Sequence, residues 1–353
     1  MNVLLVGCCK NVADNFDIIK KNFYNLSKYV NICKGVYYEN NSDDNTAELL
    51  KSWEKDDSRV VCICEKYTDK ELLDICKAMT WDNKPCRIEI IAMARNKILN
   101  EIEKEKYNNI SHVIIYDMDH KSLLPINKIV EIVYNNVNNY DAIICNGTDQ
   151  EGHIYDTYAY RDYKYPFGPE ILGDDFEYFN ILKQLDFKNK NELVPVISAF
   201  NGLCIFKKSS IKNIRYSAHP SNELNNLYKN IIYNNDIFQK NKMDVIKFEE
   251  YMNNNHNIEL LKSLEEIYDN IDKTKSNVIK IHEGSLLGSY LFEKNGIFYK
   301  NCSGYNYPIV CEHVIFFLEM RAKGFNKIYI DKNFIWSSIW HDGVKDLNTT
   351  TPK

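Results

Sequence analysis

The chain reads as an α/β protein, with a mostly parallel central sheet and covering helices in its first 150 residues and a mixed-sheet second half. Three observations predict this. Short runs rich in Val, Ile, Cys and Tyr recur as VLLVG, VYY, VVCIC, VIIY and AIIC, and unbroken apolar runs suit strands buried on both faces. Segments with helical spacing lie between them, as crossover connections between parallel strands require. Beyond about residue 150 this alternation stops.

The elements follow in order. A first strand starts at Asn2, and a helix follows Asn11. A second strand runs from near Tyr29 to Tyr38 with Glu39 at its end, and Ser42 or Asp44 caps a helix whose apolar positions are Ala47, Leu49, Leu50 and Trp53. Next come a strand at Arg59 to Cys64, a helix from Arg87 that contains Arg95, a strand at Val113 to Tyr116, a helix at Ile126 to Asn138 and a strand at Asp141 to Cys145. In the second half, His153 to Tyr160 and Pro195 to Phe206 read as strands and Phe176 to Leu185 as a helix. The polar stretch at about 221–306 reads as an insertion with a helix at Ile258 to Ile271. A helix begins at Glu312, and a strand spans Lys327 to Ile330. At 353 residues the chain can bury a large core. One domain over 1–353 is expected, with a first half at 1–150 and a second at 151–353.

Composition excludes several functions. A formal charge of −5 gives no electrostatic case for nucleic acid. The opening MNVLLVGCC is too short for a signal sequence or membrane span and already reads as a strand. The eleven cysteines lack the CxxC spacing of a zinc site, and an odd number without a leader favours free, buried thiols in a reducing, cytoplasmic setting. The sequons at Asn109 and Asn146 would then carry no glycan.

The chemistry concentrates at strand ends. Asp117 and Asp119 follow the apolar run Val113 to Tyr116, and ligand sites in open α/β sheets lie beyond the carboxyl ends of such strands. Two carboxylates straddling one residue can reach a hard cation, Mg²⁺ or Mn²⁺, together with the phosphate or ribose it carries. Arg95 shares a helical face with Ile88, Ile91, Ala92, Leu99 and Ile102, where its charge needs a fixed anion. That anion is either a ligand phosphate or an internal carboxylate such as Asp44 or Asp117. Arg87 opens the same helix.

Beyond these physical readings, the run Glu39 to Thr46, with Ser42, Asp44 and Thr46 in a Ser-x-Asp-x-Thr turn, resembles the first-loop signature of glycosyltransferases with the GT-A fold. Four further segments are similar to parts of the same family. VLLVGCCKNVADNF resembles its first strand and turn, PCRIEIIAMARNKIL its arginine-bearing helix, PVISAFNGLCIFKKSSI its acceptor-side segment, and CEHVIFFLEMRAKGFNKIYIDKNF its late acid-bearing helix and strand. Among GT-A subgroups the chain looks closest to the fungal capsule-type α-1,3-mannosyltransferases and their bacterial and viral relatives. It departs from the family where Glu39 stands in place of the usual Asp, and the stretch from Asn222 to Asn306 does not align.

The resemblance implies a UDP- or GDP-sugar donor, a glycan or glycoprotein acceptor and a Mn²⁺ or Mg²⁺ cofactor. It implies donor contacts from Lys10, Asn11, Glu39, Ser42, Asp44, Arg87, Arg95 and Asp117, and metal ligation by Asp117, Asp119 and the late His341. Catalytic or sugar-binding acids would be Glu312 and Asp156, and acceptor contacts would come from Arg161, Asn201 and Gly202. Asp156 and Arg161 also read as an ordinary strand-end ion pair. A nucleotidyltransferase of related fold is an alternative, but GCCKNVADNF lacks the Gly-rich phosphate loop it usually carries. A non-catalytic carbohydrate-binding scaffold is the other.

Overall fold

A computed structural model describes residues 1–80, 82–134, 139–148, 153–163, 165–172, 192–233 and 304–337, isolated positions between 182 and 190, and the strand segments 278–280, 290–294 and 297–300. The first half runs β1 (Asn2–Cys9), α1 (Phe16–Ser27), β2 (Ile32–Asn40), α2 (Thr46–Asp56), β3 (Val60–Glu65), α3 (Asp69–Ile75), α4 (Arg87–Ile102), β4 (His112–Tyr116), α5 (Ile126–Tyr134) and β5 (Ala142–Thr148). The second adds α6 (Pro169–Leu172), β6 (Leu193–Pro195), β7 (Leu203–Lys207), α7 (Asn222–Tyr233), β8 (Val278–Lys280), β9 (Tyr290–Lys294), β10 (Ile297–Lys300), α8 (Glu312–Ala322) and β11 (Ile328–Ser337).

The main sheet has the order β3-β2-β1-β4-β7-β5-β11-β6, and β8 to β10 form a second, antiparallel sheet. β1, β2, β3 and β4 are parallel, as are β5 and β11, while β7 runs antiparallel between β4 and β5. The second half therefore completes the same sheet. Because β2 and β4 flank β1 on opposite sides, the chain leaves β1 in two directions and opens a crevice at the carboxyl ends.

Both faces of β1 are buried, as its unbroken apolar run requires. Leu4 and Val6 pack with Ala92 and Leu99 of α4 and with Val314 and Phe317 of α8, while Val3 and Leu5 pack with Phe23, Trp53 and Ile129 of α1, α2 and α5. α8 is buried nearly all round, from Glu312 to Leu318, so its two polar N-terminal residues, Glu312 and His313, lie inside the protein.

The structure corrects several boundaries. β2 begins at Ile32 because Lys28 and Tyr29 still donate to Asn25 and Leu26 carbonyls in turns that extend α1. The expected strand at His153 to Tyr160 reduces to one bridge, Ile154 with Thr148. The Ala159 N–H donates to the Asp156 carboxylate at 3.0 Å, closing a turn where a ladder would have continued. Pro195 to Phe206 divides into β6 and β7 around Asn201 (φ +53°) and Gly202 (φ +82°). α3 was not expected; a Thr68–Glu71 capping box starts it. The expected helix at Ile258 to Ile271 and most of that at Phe176 to Leu185 lie outside the described residues, as does His341. Ten cysteines are described; all are free and seven are buried, in keeping with thiols acting as small apolar residues. Among the described residues, no helix is long and apolar enough to cross a membrane.

Candidate active site

A cavity of about 950 Å³ opens where β1, β2 and β4 end. Its walls bring together residues from both halves of the sequence: Lys10 and Asn11 after β1, Asn40 and Asn41 at the end of β2, Arg87 and Arg95 on α4, Asp117 and Asp119 after β4, Asp156, and Glu312 and His313 at the start of α8.

The turn after β2 is stitched to the turn after β1. Asn11, in the left-handed region at φ +54°, donates its N–H to Ser42 Oγ at 3.0 Å and accepts from the Asp43 N–H at 2.8 Å. The Val12 and Ala13 N–H groups donate to Thr46 Oγ1 and Asp44 Oδ2 at 2.8 and 3.0 Å. The N-cap of α2 is Asn45 and not the expected Ser42 or Asp44; Asp44 Oδ1 accepts from the Thr46 N–H from one position further out. Buried Glu39 accepts from the Ser42 N–H at 2.6 Å. Glu39, Ser42 and Asp44 are thus engaged in shaping the loop, and their neighbours Asn40 and Asn41 line the cavity.

At the centre, Arg95 reaches Asp117 at 3.6 Å and Glu312 at 3.5 Å. The internal carboxylate expected for Arg95 is therefore Asp117, while Asp44 serves the loop. The guanidinium lies over the rings of Phe200 and Tyr216, 4.7 and 5.5 Å from their centroids, and bonds His313 Nε2. Burial, and then the Arg95 charge, hold the His313 imidazole well below its ordinary pKa, so it is neutral.

Five carboxylates line this cavity: Asp69 at the start of α3, Asp117, Asp119, Asp156 and Glu312. Burial pushes Asp117 well above the usual carboxylate range; Arg95 opposes the shift, and Asp119, Asp156 and Glu312 add to it. Asp119, the most exposed of the pair, is also raised by desolvation, against its own backbone N–H and the charges of Arg87 and Arg95. Asp156 is pushed up to about 6 by burial, with Glu312 adding to the shift and Ala159 N–H, Arg95 and Arg161 opposing it. Asp117 and Asp119 offer carboxylate oxygens, the donor type that Mg²⁺ and Mn²⁺ prefer. No group of three His, Cys, Asp or Glu residues is arranged around a common point among the described residues.

Asn201 and Gly202 form the floor behind these acids. Asn201 donates to the Cys145 carbonyl and accepts from the Asp156 N–H, at 3.1 and 3.4 Å, and the Gly202 carbonyl accepts from the Asp117 N–H at 2.8 Å. A Cβ at Gly202 would stand 3.2 Å from His120 Nε2 and 3.3 Å from Trp336, in a φ that disfavours side chains. These two residues hold the catalytic-side backbone and are not among those lining the cavity.

Arg161 overturns its expectation. It is fully buried and ion-paired at 3.3 Å to Glu170, itself fully buried, with its other nitrogen donating to the Tyr158 and Tyr160 carbonyls. An arginine so enclosed cannot reach a ligand, and it is not the ion-pair partner of Asp156. Sequence reasoning also missed cavity residues. Tyr155, Tyr158 and Phe200 line it without any local pattern that separates them from core aromatics, and His313 lies within an apolar helix that gives it no distinguishing signal. The positive φ of Asn41, +57°, had a legible signal in the Asn-rich turn.

The fold and this acid-lined crevice, taken with the family match that follows, place the chain among GT-A nucleotide-sugar glycosyltransferases. A family model described as "Cryptococcal mannosyltransferase 1" matches residues 31–229, and the chain belongs to that family. A search of curated proteins returns no match.

Among solved structures, a mannosyltransferase from Pyrobaculum calidifontis in complex with GDP-Man and Mn²⁺ is similar at 14% identity and TM-score 0.32, over 61% of this chain and 47% of that one. TarS residues 1–349 from S. aureus is similar at 10% identity and TM-score 0.33, over 62% and 50%. Mannosyl-3-phosphoglycerate synthase from Rubrobacter xylanophilus is similar at 15% identity and TM-score 0.32, over 60% and 54%. The matched regions span about half of each of those chains.

Proposed function

We propose that the protein transfers a sugar from a UDP- or GDP-sugar to a hydroxyl of a glycan or glycoprotein acceptor, with Mn²⁺ or Mg²⁺ at Asp117 and Asp119. The observation that carries this reading is one cavity, at the switch point of the sheet, lined by both aspartates, two arginines of α4 and the acids Asp156 and Glu312. The family match favours a mannosyl donor as the first to test. The chain is read as a single domain, residues 1–150 holding the donor and 151–353 the acceptor, in a reducing, cytoplasmic setting.

A bound cation would supply Lewis-acid stabilisation of the diphosphate oxygens. The protein's own residues do the remaining work. Asp117 and Asp119 would hold the cation, and His341 is kept as a third ligand from the family resemblance. Arg95 and Arg87 offset the charge growing on the departing nucleoside diphosphate from positions fixed before reaction. Asn11, Glu39, Ser42 and Asp44 keep the loop that presents Lys10, Asn40 and Asn41 to the nucleotide. Asp156 has one oxygen held by the Ala159 N–H and a carboxyl near pKa 6, which suits it to receive the proton of the attacking hydroxyl near neutral pH. Glu312, paired with Arg95, orients that arginine and the sugar beside it.

Nucleoside diphosphate release from a panel of UDP- and GDP-sugars with Mn²⁺, comparing wild type with Asp119→Ala, tests this. Metal-dependent release from one donor, lost in the variant, is expected. Pyrophosphate release from a nucleoside triphosphate would instead assign a nucleotidyltransferase. Neither release nor metal-dependent nucleotide binding would assign a scaffold.

A further inference from the structure

The two carboxylates that neutralise Arg95 do not orient it. Each approaches through one oxygen at 3.5 to 3.6 Å, beyond the range in which a hydrogen bond fixes direction, and the Phe200 and Tyr216 rings, with centroids 4.7 and 5.5 Å from the guanidinium carbon, attract its charge without a directional bond. The directional contact is the one from Arg95 Nη1 to His313 Nε2.

His313 is built for that contact. Its ring stacks on Phe200 with centroids 3.9 Å apart and planes at 16°, and meets Tyr216 edge-on at 5.5 Å. It sits in the first turn of α8, where the helix dipole disfavours a cation. A neutral imidazole has one acceptor nitrogen. With Nε2 accepting from Arg95, the proton resides on Nδ1, which is buried and has no hydrogen-bond partner among the described residues. Glu312 Oε1 stands 3.6 Å from the same Nε2, too far to compete for it as a hydrogen bond.

We infer that His313 is a positioning residue: locked between Phe200 and Tyr216, it fixes the rotation of the Arg95 guanidinium so that the remaining N–H edge faces the diphosphate of a nucleotide-sugar. This deepens, and rests on, the glycosyltransferase reading. It accounts for a buried polar residue at the start of an apolar helix, and it makes orientation as well as charge a property of the site.

His313→Phe keeps the ring stack and removes the acceptor; His313→Gln supplies an amide oxygen in its place. For nucleoside diphosphate release with saturating donor, His313→Phe is expected to lower kcat about tenfold with donor KM within about threefold, as a misplaced transition-state contact does. His313→Gln is expected to recover most of the loss, with both variants melting near wild type. Crystal structures of wild type and His313→Phe give a readout that needs no turnover, since the guanidinium should turn away from its wild-type position.

An unmoved guanidinium, or wild-type kcat in His313→Phe, overturns the inference, as does an equal loss in both variants. If wild type turns over no nucleotide-sugar, the glycosyltransferase reading fails, and the two crystal structures still decide the role of His313. If His313→Phe does not fold, His313→Leu replaces it in both measurements.

Discussion

Arg95 and Asp117 meet at 3.6 Å across the gap between α4 and the end of β4. The cation on the helix and the anion on the strand thus compensate each other in a partly buried setting, with Glu312 as a second anion. Arg95→Met removes the guanidinium that pairs with both acids, leaving beside Glu312 only the neutral imidazole of His313 among the described residues. It leaves two crowded carboxylates uncompensated, and unfolding in urea at pH 8 should show a loss of about 2 kcal/mol, below the full buried-pair range because Asp117 keeps some contact with water. Arg95→Lys should restore stability more than it restores donor turnover, because an ammonium is a point charge that cannot present a planar fork of donors.

Gly202→Ala tests the floor of the site. The residue has φ +82°, and an added Cβ would press on His120 Nε2 and Trp336. His120 is buried, stacked on Trp336 at 3.8 Å and pushed down to about 3, so it can yield neither by charging nor by swinging into water. The variant should lose about 1–2 kcal/mol by thermal denaturation. Because the Gly202 carbonyl accepts from the Asp117 N–H, donor turnover should fall beyond what the stability loss explains.

The first half of the fold was legible because its strands are buried on both faces and their apolar runs carry no competing period. Asp117 and Asp119 could be found for the same reason, since polarity switches on abruptly after Tyr116. The second half was harder. Around Asp156 a side chain replaces the backbone partner of Ala159, so a strand-like pattern folds as a turn. Arg161 looked like a ligand contact because its partner Glu170 lies nine residues on, in a helix of four residues that no periodicity announces. His313 was hidden within a helix whose apolar residues face every direction. Its role depends on Phe200 and Tyr216, which reach it only through the tertiary fold.

Glu89 predicts an acid-sensitive clasp beside the cavity. Its carboxylate accepts from the Lys77 and Ala78 N–H groups at 2.9 Å and pairs with His219 at 2.6 Å, tying the segment that carries Asn83 and Lys84 to α4. Burial opposes ionisation here, but His219 and the two N–H donors win and hold the pKa below its ordinary value of 4.5. A carboxylate lowered in the folded state stabilises the fold above its ordinary value, and the contribution is lost as pH falls through the lower, folded value. Wild type should therefore lose stability steeply below about pH 4.5, and Glu89→Gln, less stable at pH 7, should lose less over that interval. Parallel slopes in denaturant titrations at pH 3 to 7 would contradict this.

Asp156 predicts the opposite sign, and with it a conflict between stability and activity. Burial raises its carboxyl from 3.8 to about 6, with Glu312 adding to the effect. The folded state therefore holds this proton more tightly than the unfolded chain does, and the fold is penalised as pH rises from the ordinary value through about 6. Asp156→Asn removes that penalty while keeping an oxygen for the Ala159 N–H, so it should melt higher than wild type at pH 8 and no higher at pH 4. If Asp156 is the base, the same variant should lose at least about a hundredfold in kcat. The wild-type rate should fall with decreasing pH along a limb near 6 that the variant lacks. A variant that is stabilised at pH 8 yet retains the wild-type pH profile would leave Asp156 as a buried acid with no part in proton transfer, and would move the base to Glu312.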